Sequence, residues 1–190
     1  MRKMFFAAIL AIVTFTNLET PALTIDEDTL AAVFFQVYLE RNAESPSPAV
    51  LAAKYRMYNM LCFELRDIDC GATPAPKVLT FKTNPFRPGL QGYYDGGDTI
   101  FIRQNLRGKH REEVLAHEMS HYLDAEILGM EIPGMALPIC FSEKRAWAVS
   151  DAYWTKYNHP RKVVGSKWTK WYKHCTPFKD TLYPEDGNEI

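Results

Sequence analysis

The segment from residue 114 to residue 123 constrains the fold of this chain more than any other. Apart from His117, Glu118 and His121, its side chains are uncharged and mostly apolar. Two histidines four residues apart project from one face of an α-helix, one turn apart. Burying two imidazoles and a carboxylate among apolar residues is costly unless a ligand compensates for the lost water. The segment therefore predicts a buried helix on which His117 and His121 bind one metal ion.

The composition supports a single compact domain. The chain has 190 residues, of which 47% are hydrophobic, so there is enough apolar material for one core. Its 22 Lys and Arg residues are balanced by 23 Asp and Glu residues. This balance provides no field that would attract a polyanion, so we expect no nucleic-acid partner. We expect residues 23–190 to form one domain, and the protein to be a monomer.

The first 22 residues have the order of a secretory signal peptide. Met1, Arg2 and Lys3 precede an apolar run over residues 4–15, and small and polar residues follow as far as Ala22. The run is shorter than the roughly 20 residues that span a bilayer, although an uncleaved anchor or a buried helix remains an alternative. We expect cleavage after Ala22, or alternatively after Thr16. The mature protein would then be secreted or periplasmic, with no stable membrane anchor.

Four cysteines follow this segment, at positions 62, 70, 140 and 175. Their spacing does not resemble the close Cys-x-x-Cys pairs of structural zinc sites, and an exported chain favours disulfides. Four cysteines allow three connectivities, and the sequence alone does not choose among them. We favour Cys62–Cys70 and Cys140–Cys175. The alternative is four free thiols in a chain that stays in the cytoplasm.

The spacing of apolar residues predicts an α+β fold. Helical periodicity covers residues 26–39, 50–65 and 111–127, and the last of these ends at Gly129. A further helix is predicted from Ser142, as N-cap, toward Tyr157, after an interruption at Pro133, Gly134 and Pro138. Strands are predicted over residues 78–81 and 99–103, with a hairpin-like turn over residues 92–98.

The paired histidines suggest a particular chemistry. Imidazole nitrogens suit Zn²⁺, and an ion held by three protein ligands keeps a fourth position for water. Zinc lowers the pKa of that bound water toward about 7. Glu118 lies one residue after His117 and would be near the ion without being a ligand. Its carboxylate can accept the remaining proton and later transfer it to a leaving amine.

The segment around these residues resembles the zincin metallopeptidases. That family has Val or Thr three residues before the first histidine and a hydrophobic residue two after the second, places that Val114 and Leu123 fill. The resemblance covers about residues 92–151. It implies a cleft between the edge of a small sheet and the metal helix, with residues 99–103 as the strand beside that cleft. It also implies peptide-bond hydrolysis, with Zn²⁺ as cofactor and a peptide or protein as substrate.

The third metal ligand decides the subclass. The Gly and His that follow the motif in metzincins are absent, whereas gluzincins take a Glu from the following helix, where Glu143 stands. Asp124 and Glu126 are the alternatives, but the metal helix would have to end early for either to reach the ion. Glu143 could also be an ordinary acidic residue near a helix N-terminus.

Other residues of the following helix are weaker candidates. Glu143, Trp147 and Asp151 share one face. Asp151 could accept the second ring proton of His117 or His121, or it could be a solvated surface carboxylate. The resemblance departs from the thermolysin-like form here, because Ser142 and Trp147 stand where that form has Asn and Asp.

Three functions are compatible with these features. The first is peptide-bond hydrolysis outside the cytoplasm, and the second is cleavage of an amide in cell-wall peptidoglycan by the same chemistry. The third is a secreted, non-catalytic protein whose metal stabilises the fold. The residue that would stabilise the reaction's oxyanion is not assigned, and His110 is interpreted as a surface or packing residue. The candidates for the oxyanion role are Tyr94, Tyr153, Tyr157 and His159.

Overall fold

The computed structural model describes residues 27–65, 70–71, 73–85, 87–129, 136–157 and 173–178. The predicted signal peptide, residues 1–22, lies outside these ranges. The chain divides into two compact units, residues 1–33 and residues 34–190. Of the first unit only the start of helix α1 is described, and all packing below concerns the second unit.

The described residues form the predicted α+β fold with four α-helices, and their three-stranded sheet has one strand more than the sequence predicts. The helices are α1 (Glu27–Asn42), α2 (Pro48–Met60), α3 (Gly108–Leu128) and α4 (Ala136–Lys156). The strands are β1 (Lys77–Phe81), β2 (Gly92–Tyr94) and β3 (Thr99–Arg103). A π-helical segment, Leu61–Leu65, continues α2, and a 3-10 helix covers Lys173–Phe178.

The sheet has the order β1-β3-β2, with β3 parallel to β1 and antiparallel to β2. The prediction that residues 99–103 form the edge strand beside the cleft is therefore wrong. Strand β3 is central, and β2 is the edge strand near α3. Strand β2 has three residues and begins with a glycine, so the sequence pattern indicates a turn there and not a strand.

The turn itself is confined to the residues between β2 and β3. The Asp95 carboxylate accepts hydrogen bonds from the backbone N–H groups of Gly97, at 2.9 Å, and Thr99, at 3.2 Å. Gly96 has a φ of 74°, a conformation that a residue without a Cβ adopts readily. This turn closes the predicted hairpin and brings β2 alongside β3.

Strand β3 packs on both of its faces. Ile100 and Ile102 belong to the main core, together with Leu115 of α3. Phe101 points to the opposite face and packs in a second cluster with Phe35 of α1. Because side chains alternate along a strand, a shift of one residue would exchange these faces. The packing on both faces therefore fixes which side chains of β3 point toward α3.

The two helices that carry the predicted site differ from expectation at their starts. Helix α3 ends as predicted, with Gly129 as its left-handed C-cap at a φ of 60°. It begins at Gly108, three residues early, so His110 lies in its first turn. Helix α4 begins at Ala136, so Ser142 is an interior residue and not the predicted N-cap. Pro138 is predicted to interrupt the chain before this helix, but proline is tolerated in the first turn of a helix.

Both predicted disulfides are confirmed. Cys62–Cys70 lies at the end of α2, and Cys140–Cys175 joins α4 to the 3-10 helix. Paired cysteines of this kind indicate an oxidising compartment. None of the described helices combines the length and the apolar character that crossing a membrane requires.

One carboxylate links three helices. Glu112 of α3 forms a salt bridge with Arg56 of α2 and accepts a 2.8 Å hydrogen bond from the buried Tyr153 of α4. Burial opposes ionisation of Glu112, but the hydrogen bonds from Arg56 and Tyr153 outweigh it and lower the pKa of Glu112. Burial and the bond to Glu112 raise the pKa of Tyr153, which keeps its phenol a neutral donor. The network therefore stabilises the packing of α2, α3 and α4.

We expect Glu112→Gln to lower the free energy of unfolding by about 1–2 kcal/mol at pH 7. Because the folded-state pKa of Glu112 lies below its usual value of about 4.3, its contribution is complete above that pH and is lost as the pH falls through the folded-state pKa. The difference between the two proteins should therefore shrink below about pH 4. Urea unfolding of metal-free protein at several pH values measures this. Glu126→Gln, at an exposed site on α3, is the control. A difference in the free energy of unfolding between wild type and Glu112→Gln that does not change with pH would contradict the prediction.

Candidate metal centre

Three predicted ligands converge between α3 and α4. His117 and His121 come from α3 and Glu143 from α4, all three are buried, and one ligand atom of each lies within 4.8 Å of the others. The Nε2 atom of His117 is 3.7 Å from Oε2 of Glu143. The Nε2 atom of His121 is 3.5 Å from Oε1 of the same carboxylate. The structure thus assembles a group that could bind a metal ion.

The distances fit ligands of a shared ion better than hydrogen-bonded partners. Hydrogen bonds between nitrogen and oxygen are typically about 2.7–3.2 Å long, shorter than both distances. Two ligands that each lie about 2.0–2.1 Å from a tetrahedral zinc ion are roughly 3.3 Å apart. The observed 3.5 Å and 3.7 Å, each to a different oxygen of Glu143, are close to that spacing. Two imidazoles and a carboxylate are also a donor set that zinc accepts.

A chain of hydrogen bonds orients His121. Its Nδ1 atom lies 2.8 Å from Oγ of Ser142, and Ser142 donates its hydroxyl proton to Asp124 at 3.1 Å. Because the single hydroxyl proton goes to Asp124, Ser142 accepts from His121, and Nδ1 carries the ring proton. The lone pair of Nε2 is then directed at the candidate site. Arg145 donates to the other Asp124 oxygen at 3.0 Å and so holds the carboxylate in place.

His117 is held by two residues of α4. Its Nδ1 atom lies 3.4 Å from Oγ of Ser150. The ring of Trp147 packs edge-on against the His117 ring, with 4.8 Å between centroids. Trp147 also packs against the cluster that contains the Cys140–Cys175 disulfide. The disulfide therefore supports the wall of the candidate site.

A cavity of about 380 Å³ opens beside this group. Residues 89–92 line one side, and His117 and Glu118 of α3 line the other. Trp147 and Ser150 of α4 also contribute. Glu118 is not part of the three-residue ligand group, as predicted for a residue that acts beside an ion.

Strand β2 approaches α3 most closely at Gly92. A Cβ atom at this position would lie 2.5 Å from Oε1 and 2.7 Å from Cγ of Glu118, and 2.7 Å from Cγ1 of Val114. Distances below 3.0 Å are not tolerated, so any larger residue would displace Glu118 or the helix. The absence of a side chain at Gly92 is what allows Glu118 to pack against the strand at the cavity.

Each of the alternative ligands occupies a different position. Asp124 is fully buried but bonds Ser142 and Arg145, and Glu126 is exposed. Helix α3 continues to Leu128, so neither belongs to the ligand group. Asp151 is half-buried on α4, and its predicted bond to a ligand histidine stays a prediction.

Sequence reasoning missed both serines that contact the ligand histidines. The sequence predicts Ser142 as a helix cap and assigns no role to Ser150. A signal for Ser150 existed, because it lies seven residues after Glu143 and therefore on the same helix face. His110, interpreted from the sequence as a surface or packing residue, is partly exposed and also lines the cavity.

The three described tyrosines proposed as oxyanion donors have other partners. Tyr94 donates to the carbonyl oxygen of Gly97 at 3.0 Å, and Tyr153 donates to Glu112. Tyr157 is exposed, with the ammonium of Lys109 over its ring. None of the three is among the residues that line the cavity. The fourth candidate, His159, lies outside the described residues.

Comparisons of the chain with protein-family models, with curated proteins and with solved structures give no match. The functional assignment therefore rests on the geometry of the site and on the zincin-like motif.

We expect Glu143→Ala to weaken Zn²⁺ binding by at least about 100-fold, because a direct ligand contributes more than the residues around it. Competition with a chromophoric chelator measures the affinity. Glu126→Ala, which removes an alternative ligand on α3, should bind zinc as the wild type does. Unchanged zinc affinity in Glu143→Ala would exclude Glu143 as the third ligand.

Proposed function

We propose that the chain is a secreted zinc metallopeptidase of the zincin type, with Glu143 as a gluzincin-like third ligand. The observation that supports this most is the convergence of His117, His121 and Glu143 at ion-sharing distances, beside a cavity that also contains Glu118. His117 of this buried ligand group and the neighbouring Glu118 carboxylate line the same cavity, which is the arrangement that hydrolysis requires.

The number of ligands favours a catalytic site over a structural one. Structural zinc sites are closed by four protein ligands, whereas catalytic sites have three and keep one position open. Among the described residues the ligand group has three members. The adjoining cavity provides the space that a substrate carbonyl and a water molecule need.

Zinc bound here would polarise the substrate carbonyl and lower the pKa of water toward about 7. Glu118 takes a proton from the attacking water and transfers it to the leaving amine. Ser142 and Asp124 keep the ring proton of His121 on Nδ1, so this histidine presents Nε2 throughout the reaction. The close packing at Gly92 holds the Glu118 carboxylate against the cavity wall, where it meets the water.

The substrate lies along β2 in this proposal. Strand β2 is an edge strand of the described sheet, and residues 89–92 line the cavity. An extended peptide can add to such an edge by main-chain hydrogen bonds, which are independent of side-chain identity. A peptide bound in this way would have its scissile bond beside the ligand group.

Two observations support a location outside the cytoplasm. The disulfides Cys62–Cys70 and Cys140–Cys175 need an oxidising compartment. The N-terminal residues follow the order of a secretory signal.

We expect Glu118→Gln to keep Zn²⁺ and to lose about 10²–10⁴-fold in kcat, because the general base is removed while the ligands remain. Cleavage of a quenched-fluorescent peptide library and zinc analysis of the same preparations measure both quantities. Glu126→Gln is the matched control on the surface of α3. Wild-type protein that binds zinc but cleaves no peptide would contradict the proposal and favour a metal that only stabilises the fold.

Gly92→Ala should lower kcat by about 10–100-fold with zinc affinity unchanged, because displacement of Glu118 by about 1 Å impairs proton transfer. Glu126→Gln, at an exposed site on α3, is the control. Wild-type activity in Gly92→Ala would show that the approach at Gly92 does not position the base.

A further inference from the structure

We propose that the cavity contains a cation-binding subsite formed by Glu113, and that the preferred substrates carry a positive charge next to the scissile bond. This inference rests on the proposed function and adds a substrate class to it.

Glu113 is located where it can meet a substrate. It precedes His117 by four residues, so it lies on the same face of α3, about 6 Å further along the helix axis. The residue is 4% exposed, and it lines the same cavity as His117 and Glu118. A carboxylate at this place borders the path that a bound peptide would take from the ligand group.

His110 marks the outer end of this subsite. Its Nδ1 atom lies 3.1 Å from Oε2 of Glu113, and its own side chain is 42% exposed. Both residues line the cavity. His110 therefore lies at the solvent-facing rim of the cavity, and the Glu113 carboxylate lies deeper. The contact between them holds the carboxylate in a defined orientation.

The charge of the cavity favours a cationic ligand. Among the described residues that line it, the carboxylates are Glu113 and Glu118, and there is no lysine or arginine. Glu143 and Glu118 would balance the two positive charges of a bound Zn²⁺, and Glu113, which contacts His110, would be a third carboxylate beside them. Low-dielectric walls concentrate the field of such a charge inside a cleft.

The complementary chemical group is an ammonium or a guanidinium. A lysine or arginine side chain next to the scissile bond could supply it, and so could the free α-amino group of a peptide. Both would form a charge-assisted hydrogen bond with Glu113, and such bonds are stronger than neutral ones. In the first case the charge is at the end of a side chain, and in the second it is on the backbone nitrogen. Small ligands with one or the other charge can distinguish the two.

Three hydroxamates that anchor to zinc provide the test, with isothermal titration of Zn²⁺-loaded protein as the measurement. Nα-acetyl-lysine hydroxamate has a side-chain cation, norleucine hydroxamate has a free α-amine, and Nα-acetyl-norleucine hydroxamate is neutral. We expect one cationic ligand to bind at least about tenfold more tightly than the neutral one. The tighter cationic ligand identifies the source of the charge.

Glu113→Gln should reduce this preference to less than about twofold and leave the affinity for the neutral ligand nearly unchanged. Glu126→Gln, which removes an exposed carboxylate of the same helix, should keep the preference. Equal binding of all three hydroxamates to the wild type, or a preference that survives in Glu113→Gln, would overturn the inference. Equal binding of the three hydroxamates to the wild type overturns the inference even if the variant does not fold.

The two proposals can fail separately. The hydroxamates report on zinc and on the subsite without any turnover. Selective binding of a cationic hydroxamate together with no peptide cleavage would contradict the proposed peptidase activity and support the subsite. Peptide cleavage without any charge preference would support the peptidase and overturn the subsite.

Discussion

The burial of three ionisable ligands between two helices is the constraint on which the rest of the structure depends. His117, His121 and Glu143 come from α3 and α4, so their convergence requires both helices to keep a fixed rotation and separation. The polar contacts around the ligands serve this requirement, because Ser142 and Asp124 connect the same two helices beside His121. The packing of α3 on α4 and the geometry of the site are therefore determined together.

The sheet contributes to the candidate site through its edge strand β2. Strand β3 is buried on both faces and packs against α3. Strand β2 pairs with β3, and its first residue, Gly92, lines the cavity. A small residue at Gly92 brings backbone and helix close enough to confine the Glu118 carboxylate. The position of the Glu118 carboxylate therefore depends on the absence of a side chain at Gly92.

Sequence reasoning succeeded where a signal is local and periodic. The helical spacing of His117 and His121, the Gly129 stop of α3 and the position of Glu143 on the next helix could all be predicted. Strand β2 could not, because three residues are too few to show alternation and its identity depends on pairing with β3. Nor could the contacts of the serines, since periodicity tells which residues share a face of one helix and not what faces them from another.

The origin of the ligands on two helices has a thermodynamic consequence. An ion bound by residues of both α3 and α4 binds the folded chain far better than the unfolded one, so its binding free energy adds to the free energy of folding. At a free ion concentration 1,000 times the Kd, this contribution is about 4.1 kcal/mol. Metal supply would then set the lifetime of the folded protein as well as the occupancy of its site, and a metal-depleted environment would expose the chain to proteolysis.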